Sequence, residues 1–295
     1  MLYLSLNPGL CTFISSNEIN GNQVVEDAGK IPVPFDLNRA FFYDKDALSQ
    51  FTSLFKTLKG TQNFPQNEIA LSLPPNILTY SVNENPVPDW LDTLRFGKDY
   101  SEKLKKKSYP LEKGHLTVWH DPHITDMIVR AAQNTGYTVK KITPGIVNAI
   151  NSVYMIYATG DYDKFTILKW DSRFSELVVF KEDNLAGYLC FTNQGSPCVL
   201  QSSGDVDSAI PENLKQEKIT EHLYDMTGPL FLYSVLEPDS DPLLPFKKFG
   251  FCEIINPWAG LDVSQSGNEI LKDLSDTGLS LWTESAGFIL SLIHI

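Results

Sequence analysis

Phe165–Thr192 reads FTILKWDSRFSELVVFKEDNLAGYLCFT, three apolar runs cut by two polar triplets. The runs Phe165–Trp170, Phe174–Phe180 and Leu185–Thr192 are rich in aromatic, Val and Leu residues and have the length of strands. Asp171-Ser172-Arg173 and Glu182-Asp183-Asn184 are turn formers. The stretch therefore predicts a three-stranded antiparallel meander.

The same layout opens the chain. Leu2–Leu6 is a strand, Asn7-Pro8-Gly9 a turn and Cys11–Ser16 a second strand; Asn20-Gly21 marks a hairpin into Gln23–Val33. Each meander is followed by helices and strands. After the first, Asp44 or Asp46 caps a helix through Lys59 with the stripe Leu48, Phe51, Leu54, Phe55, Leu58, and Gly60 supplies its stop. Residues 68–73 and Ile77–Val82 read as strands around Pro74-Pro75, and Asp89 to about Lys107 as a helix ending in charge. Leu116–Trp119 and Val139–Ile142 are short strands. Asp121-Pro122 and Thr143-Pro144 each open a helix with a capping side chain and proline. After the second meander come helices at Glu212–Met226, Leu243–Phe249, Asn268–Leu274 and Leu279–Ile293, with strands at Pro229–Leu236 and Phe251–Ile255. Two similar strings of elements predict an α/β protein of duplicated lobes, each a mixed sheet with flanking helices. The expected division is a first lobe at 1–160, with a small subdomain inserted at about 68–142, and a second lobe at 161–278. The helix at 279–295 is expected to pack back on the first lobe.

The formal net charge of −12 argues against nucleic acid as a partner, because phosphate binding needs a basic face. The one dense basic run, Lys103, Lys105, Lys106 and Lys107, reads as a solvated helix end; an acidic partner or a headgroup surface is the other reading. Asn7-Pro8-Gly9 breaks the N-terminal apolar run, which has no basic residues before it, so no signal peptide is expected. No apolar stretch approaches the about 20 residues that span a bilayer, so no direct membrane insertion is expected. Four cysteines at 11, 190, 198 and 252 lack CxxC spacing and read as reduced thiols of a cytoplasmic protein. Cys11 in particular reads as a buried thiol.

Four passages carry a family resemblance: IALSLPPNILTYSV (Ile69–Val82), TGYTVKKITP (Thr135–Pro144), Phe165–Phe191 and EIINPWAGLDV (Glu253–Val263). In order along the chain they resemble pilus assembly proteins of the PilM type, and Glu284–Ile295, with Ala286-Gly287, resembles that family's closing helix. The resemblance implies an actin-like (ribonuclease H-like) fold. It also implies a scaffold at the cytoplasmic face of the inner membrane that holds the cytoplasmic tail of a membrane protein. Some such proteins bind ATP; others, like the cytoplasmic domain of GspL, resemble a pseudo-ATPase.

An actin-like ATPase cradles phosphates in two hairpins carrying Asp-x-Gly, where the acid organises Mg²⁺ and glycine admits phosphate to backbone N–H groups. Here Ser5 stands at the acid's place in the first hairpin, followed by Asn7 and Gly9, and Pro8 removes a donor. In the second, Asp171 matches the acid, but Ser172 and Arg173 follow where glycine belongs. The third element, Phe231–Leu236, runs into Glu237-Pro238-Asp239 in place of a Gly-Gly turn. Ser5, Asn7, Gly9, Asp171 and Ser172 are thus vestigial phosphate-loop positions. No catalytic residue and no cofactor are expected, ATP included. The alternative is a nucleotide-binding actin-like ATPase or kinase with degenerate motifs.

His120-Asp121-Pro122-His123 lacks a third ligand at convincing spacing, so no metal is expected. Neither Gly-x-Ser-x-Gly, GxGxxG nor a P-loop occurs. Trp90, Leu91, Leu94 and Phe96 form an apolar cluster before the basic run. They read either as subdomain core or as the lining of a groove for a protein partner's tail. The resemblance favours a groove between them and the strands at 69–82.

Overall fold

The computed structural model describes residues 1–19, 22–62, 66–111, 114–171, 173–193, 198–205, 228–234, 252–259, 261–263 and 282–293. Strands β1 (Leu2–Asn7), β2 (Leu10–Ile19) and β3 (Asn22–Pro32) form the first meander. Asn7 pairs with Leu10 across Pro8-Gly9, and Gly9 has φ +85°, so the turn needs proline's fixed φ followed by glycine's left-handed backbone. Helix α1 (Ala47–Thr61) follows. The Asp44 carboxylate accepts the Asp46 N–H at 2.8 Å. The helix runs through Gly60, which is not the expected stop. After β4 (Glu68–Leu73), Pro74 opens a 3-10 turn into β5 (Thr79–Asn83).

The expected helix from Asp89 to Lys107 breaks. Helix α2 (Asp89–Phe96) ends at Gly97, whose φ of +76° lets its N–H close on the Thr93 carbonyl. One further turn, α3 (Lys98–Ser101), leads to strand β6 (Lys105–Pro110). The basic run is therefore largely strand, with residues alternating between exposed and half-buried. Then come β7 (His115–His120), α4 (Pro122–Gln133), β8 (Thr138–Pro144) and α5 (Gly145–Ile156). Pro144 itself is the N-cap of α5, and the Thr143 hydroxyl instead takes the Asn148 amide at 2.9 Å. Strands β9 (Lys164–Trp170), β10 (Phe174–Lys181) and β11 (Asn184–Thr192) form the second meander. A fourth strand, β12 (Val199–Gly204), extends it beyond the sequence expectation. Strands β13 (Leu230–Ser234) and β14 (Cys252–Ile254) and helix α6 (Thr283–Ile293) complete the described elements. The helices expected at 212–226, 243–249 and 268–274 lie outside the described residues.

The chain forms two compact units. The first comprises Met1–Pro74, His123–Ala158 and Ile254–Ile295. Its sheet has the order β3-β2-β1-β4-β8, with β4 parallel to β1 and β8 parallel to β4. Phe35, Phe41, Phe42 and Phe51 stack beside α1, and Phe55 meets Tyr137. Helix α6 covers the sheet face that Tyr3 and Ser5 present, with Phe288 against Tyr3. It crosses α5 so closely that a Cβ on Gly287 would stand 1.9 Å from the Asn148 carbonyl oxygen.

The second unit comprises Pro75–Pro122 and Thr159–Glu253. Its larger sheet has the order β12-β11-β10-β9-β13-β14, again a meander with a parallel strand beside its first member. One face is an apolar core of Leu168, Trp170, Leu177, Val179, Leu189, Phe191, Leu230 and Leu232. A smaller antiparallel sheet, β5-β7-β6, belongs to the same unit. Tyr80 of β5 stacks on Tyr188 with ring centroids 4.3 Å apart. The outer edge of β5 is met by side chains: Tyr80 N–H donates to Gln201 Oε1 at 3.0 Å and Val82 N–H to Ser203 Oγ at 2.9 Å.

Candidate functional site

Strand alternation puts Ser5 and Asn7 on one face of β1, and register places Ser72 of β4 directly beside Ser5. Asn7 Nδ2 donates to Ser5 Oγ at 2.8 Å, and Ser5 Oγ donates to Glu284 Oε2 at 2.5 Å. Ser72 Oγ donates to the same oxygen at 3.2 Å. All four side chains are at most 1% exposed. The Glu284 carboxyl also lies over Gly145, where an added Cβ would fall 2.5 Å from it. Glycine at the first position of α5 thus makes room for a carboxylate at the positive end of the helix dipole. The Ser5 and Asn7 side chains, expected from the sequence as vestigial phosphate-loop positions, are bonded to one another and to the Glu284 carboxyl, which satisfies them in the interior. Gly9 stands at the exposed tip of the turn.

Asp171 is buried and serves the β9–β10 turn. Its Oδ1 accepts the Arg173 N–H at 3.2 Å, and its carbonyl accepts Asn193 Nδ2, which also reaches Ser175 Oγ at 2.6 Å. This is the local side-chain-to-backbone bond that suits aspartate to turns. Ser172 lies outside the described residues, as do Glu237-Pro238-Asp239 of the third element.

Trp90, Leu91, Leu94 and Phe96 do not form a core. Helix α2 has no buried residue; Trp90 is 64% exposed, Leu94 74%, and Leu91 is exposed as well. Phe96 alone packs, its ring edge-on to Trp119 with centroids 5.4 Å apart. Polar contacts hold α2 on the small sheet. Asp92 accepts Trp119 Nε1 at 3.0 Å, and Lys106 Nζ lies 2.6 Å from Asp89 and 3.0 Å from Asp92. Arg95 reaches the Tyr80 carbonyl at 3.1 Å and lies over the Trp119 ring. Partial burial of Lys106 works against its charge, but the two carboxylates outweigh it and hold its pKa above the ordinary value. The hydrogen bond from Lys106 holds Asp89 below its own.

His123 Nε2 lies 3.0 Å from the Phe42 carbonyl oxygen, and its ring stacks on Tyr43. Cys11 is buried, and desolvation pushes its thiol up to about 12; Cys190 is pushed up for the same reason, and the half-buried Cys252 to about 11.

Glu284 and Ser72 escape the sequence reading. The available signal is that Glu284 is the one charged residue in TESAGFILSLI, a carboxylate stranded in an apolar helix.

No family model matches the chain, and no curated protein matches it. Solved structures do. A chain of a PilM-PilN type IV pilus biogenesis complex matches with TM-score 0.64 and 13% identity, over 100% of this chain and 98% of that one. A Bacteroides thetaiotaomicron protein with an actin-like ATPase fold matches with TM-score 0.49 and 12% identity, over 93% and 95%. The cytoplasmic domain of EpsL, an inner membrane component of the Vibrio cholerae type II secretion system, gives TM-score 0.42 and 10% identity, over 95% and 97%. With two sheets that repeat one strand order, the chain has an actin-like α/β fold, the fold of the PilM-PilN complex chain it matches end to end.

Proposed function

We propose that the chain is a non-catalytic actin-like scaffold that holds a protein partner on the surface of α2. The observation that carries this reading is the exposure of Trp90, Leu91 and Leu94 on a helix with no fully buried residue. A helix held by Asp92, Lys106 and Arg95 presents its large apolar side chains to solvent, the composition of an interface anchor. The enclosure of Ser5 and Asn7 around Glu284 supports the non-catalytic half, because those side chains are spent on an internal carboxylate. The match to a chain of a PilM-PilN complex supports a protein partner, and the sequence resemblance suggests the cytoplasmic tail of a membrane protein at the cytoplasmic face of the inner membrane. Among the described residues no helix is long and apolar enough to cross a membrane. The lobes at 1–160 and 161–278, with an insertion at about 68–142, belong to the same proposal.

Affinity purification with the wild-type chain and with folded Trp90→Ala and Leu94→Ala variants tests it. The expected result is a partner retained by the wild type and lost from both variants; equal recovery overturns it. The competing reading, a nucleotide-binding ATPase or kinase, keeps one observation in its favour: Asp171 remains buried at the end of β9. Calorimetric titration with Mg-ATP is expected to show no binding. Micromolar binding that Asp171→Ala abolishes would establish the competing reading instead.

A further inference from the structure

The strand order β5-β7-β6 leaves β6 at the edge of its sheet. The two edges of this sheet differ. On β5 the outward N–H groups of Tyr80 and Val82 are met by Gln201 and Ser203. No strand among the described residues pairs with the outer edge of β6. Leu111 N–H bonds to the Gly114 carbonyl at 3.1 Å, so Leu111 faces β7. Antiparallel alternation through the unbroken β6–β7 register then turns Tyr109, Lys107 and Lys105 toward β7 as well. The N–H and C=O groups of Lys106 and Ser108 point outward. Pro110, which has no N–H to leave unpaired, falls in the same outward set.

This edge is basic in an acidic chain. Residues 98–107 hold five lysines against Asp99 and Glu102, while the whole chain has a net charge of −12. Lys106 is taken by Asp89 and Asp92, but Lys98, Lys103, Lys105 and Lys107 are exposed. Pairing of two such edges brings the lysines of both copies within a rung or two of each other, the usual natural guard against self-association. An acidic strand meets the opposite situation: backbone groups that no described strand pairs, and unlike charge. We infer that the outer edge of β6 is a strand-addition site for an extended, acidic segment of a partner protein. The inference deepens the scaffold reading and rests on it, but it uses the backbone edge of β6, not the apolar side of α2.

Fluorescence anisotropy with three synthetic peptides tests it: one of alternating glutamate and valine, its lysine–valine counterpart, and the glutamate–valine peptide N-methylated at every second residue. The acidic peptide is expected to bind, and the other two are not. Combined K105E and K107E, both at exposed side chains, is expected to weaken binding about tenfold with unchanged circular dichroism, while W90A/L94A leaves it intact. Equal binding of the N-methylated or the lysine peptide overturns strand addition. Loss of binding in W90A/L94A with retention in K105E/K107E moves the peptide to α2 and overturns the edge. Sedimentation with phosphatidylglycerol vesicles, without binding to the acidic peptide, assigns the lysines to a lipid surface and overturns it also. Failure of the scaffold reading shows separately, as undiminished partner recovery in the Trp90 and Leu94 variants.

Discussion

Glu284 shows how a single residue changes the meaning of others. Ser5 and Asn7 look like remnants of a phosphate loop, yet their side chains point inward to a carboxylate that is 1% exposed. Glu284→Ala should destabilise the chain by roughly 2–4 kcal/mol in urea unfolding, because the Ser5 hydroxyl loses its acceptor, Ser72 is left with the Leu4 carbonyl alone, and a cavity opens. Glu284→Gln keeps the shape and one oxygen for both hydroxyls but turns the other oxygen into an NH2 donor beside Gly145, and should cost about 1–2 kcal/mol. Stability unchanged in both variants would show that the chain Asn7–Ser5–Glu284 contributes nothing. The cysteines offer a second check. Iodoacetamide at pH 8 should modify exposed Cys198 first and Cys252 slowly, and should reach Cys11 and Cys190 only after unfolding, since burial raises those thiols far above that pH. Peptide mass spectrometry reads the order, and early labelling of Cys11 would contradict it. At this scale the sequence was half legible. Asp171 sits in a turn-forming triplet and its Oδ1 accepts the nearby Arg173 N–H, a local bond, but the partner of Ser5 lies 279 residues away, where no local pattern points.

At the scale of elements, two glycines in helices carry opposite expectations. Gly287 sits where α6 crosses α5, and Gly287→Ala would drive a methyl group into the Asn148 carbonyl, costing about 3 kcal/mol or more. Gly60 lies inside α1 with nothing within 4 Å of an added Cβ, so Gly60→Ala should stabilise by about 0.5–1 kcal/mol. Chemical denaturation of the pair distinguishes a packing glycine from an incidental one. Sequence favoured reading Gly60 as a stop because glycine usually ends helices. The meanders were legible because Asn7-Pro8-Gly9 and Glu182-Asp183 are turns whose chemistry is local; Glu182 and Asp183 both take positive φ, the two-residue hairpin conformation. The run Lys105–Lys107 was not legible. Three lysines fit a helix end as well as an edge strand, and only pairing with His115–His120 selects the strand. Strand β12 escaped for a similar reason, since Val199–Gly204 has too few β-branched or aromatic residues to signal itself.

For the molecule as a whole, the exposure of α2 separates surface from stability. The combined Trp90→Ala and Leu94→Ala change should leave the unfolding free energy within about 0.5 kcal/mol of wild type, because neither side chain belongs to a core. A large loss measured by thermal melting would mean that these side chains are packed and would remove the surface on which the scaffold reading stands. The duplicated architecture was legible from the order of elements, since each sheet repeats a meander with a parallel strand added beside its first member. The bond between Ser5 and Glu284 has a further consequence for biosynthesis. At about 5–20 residues per second, a ribosome that has made β1 needs on the order of tens of seconds to deliver the carboxylate it requires. Until then the Ser5 hydroxyl bonds water in place of Glu284, so the earliest-made strand is among the last to receive its final partner.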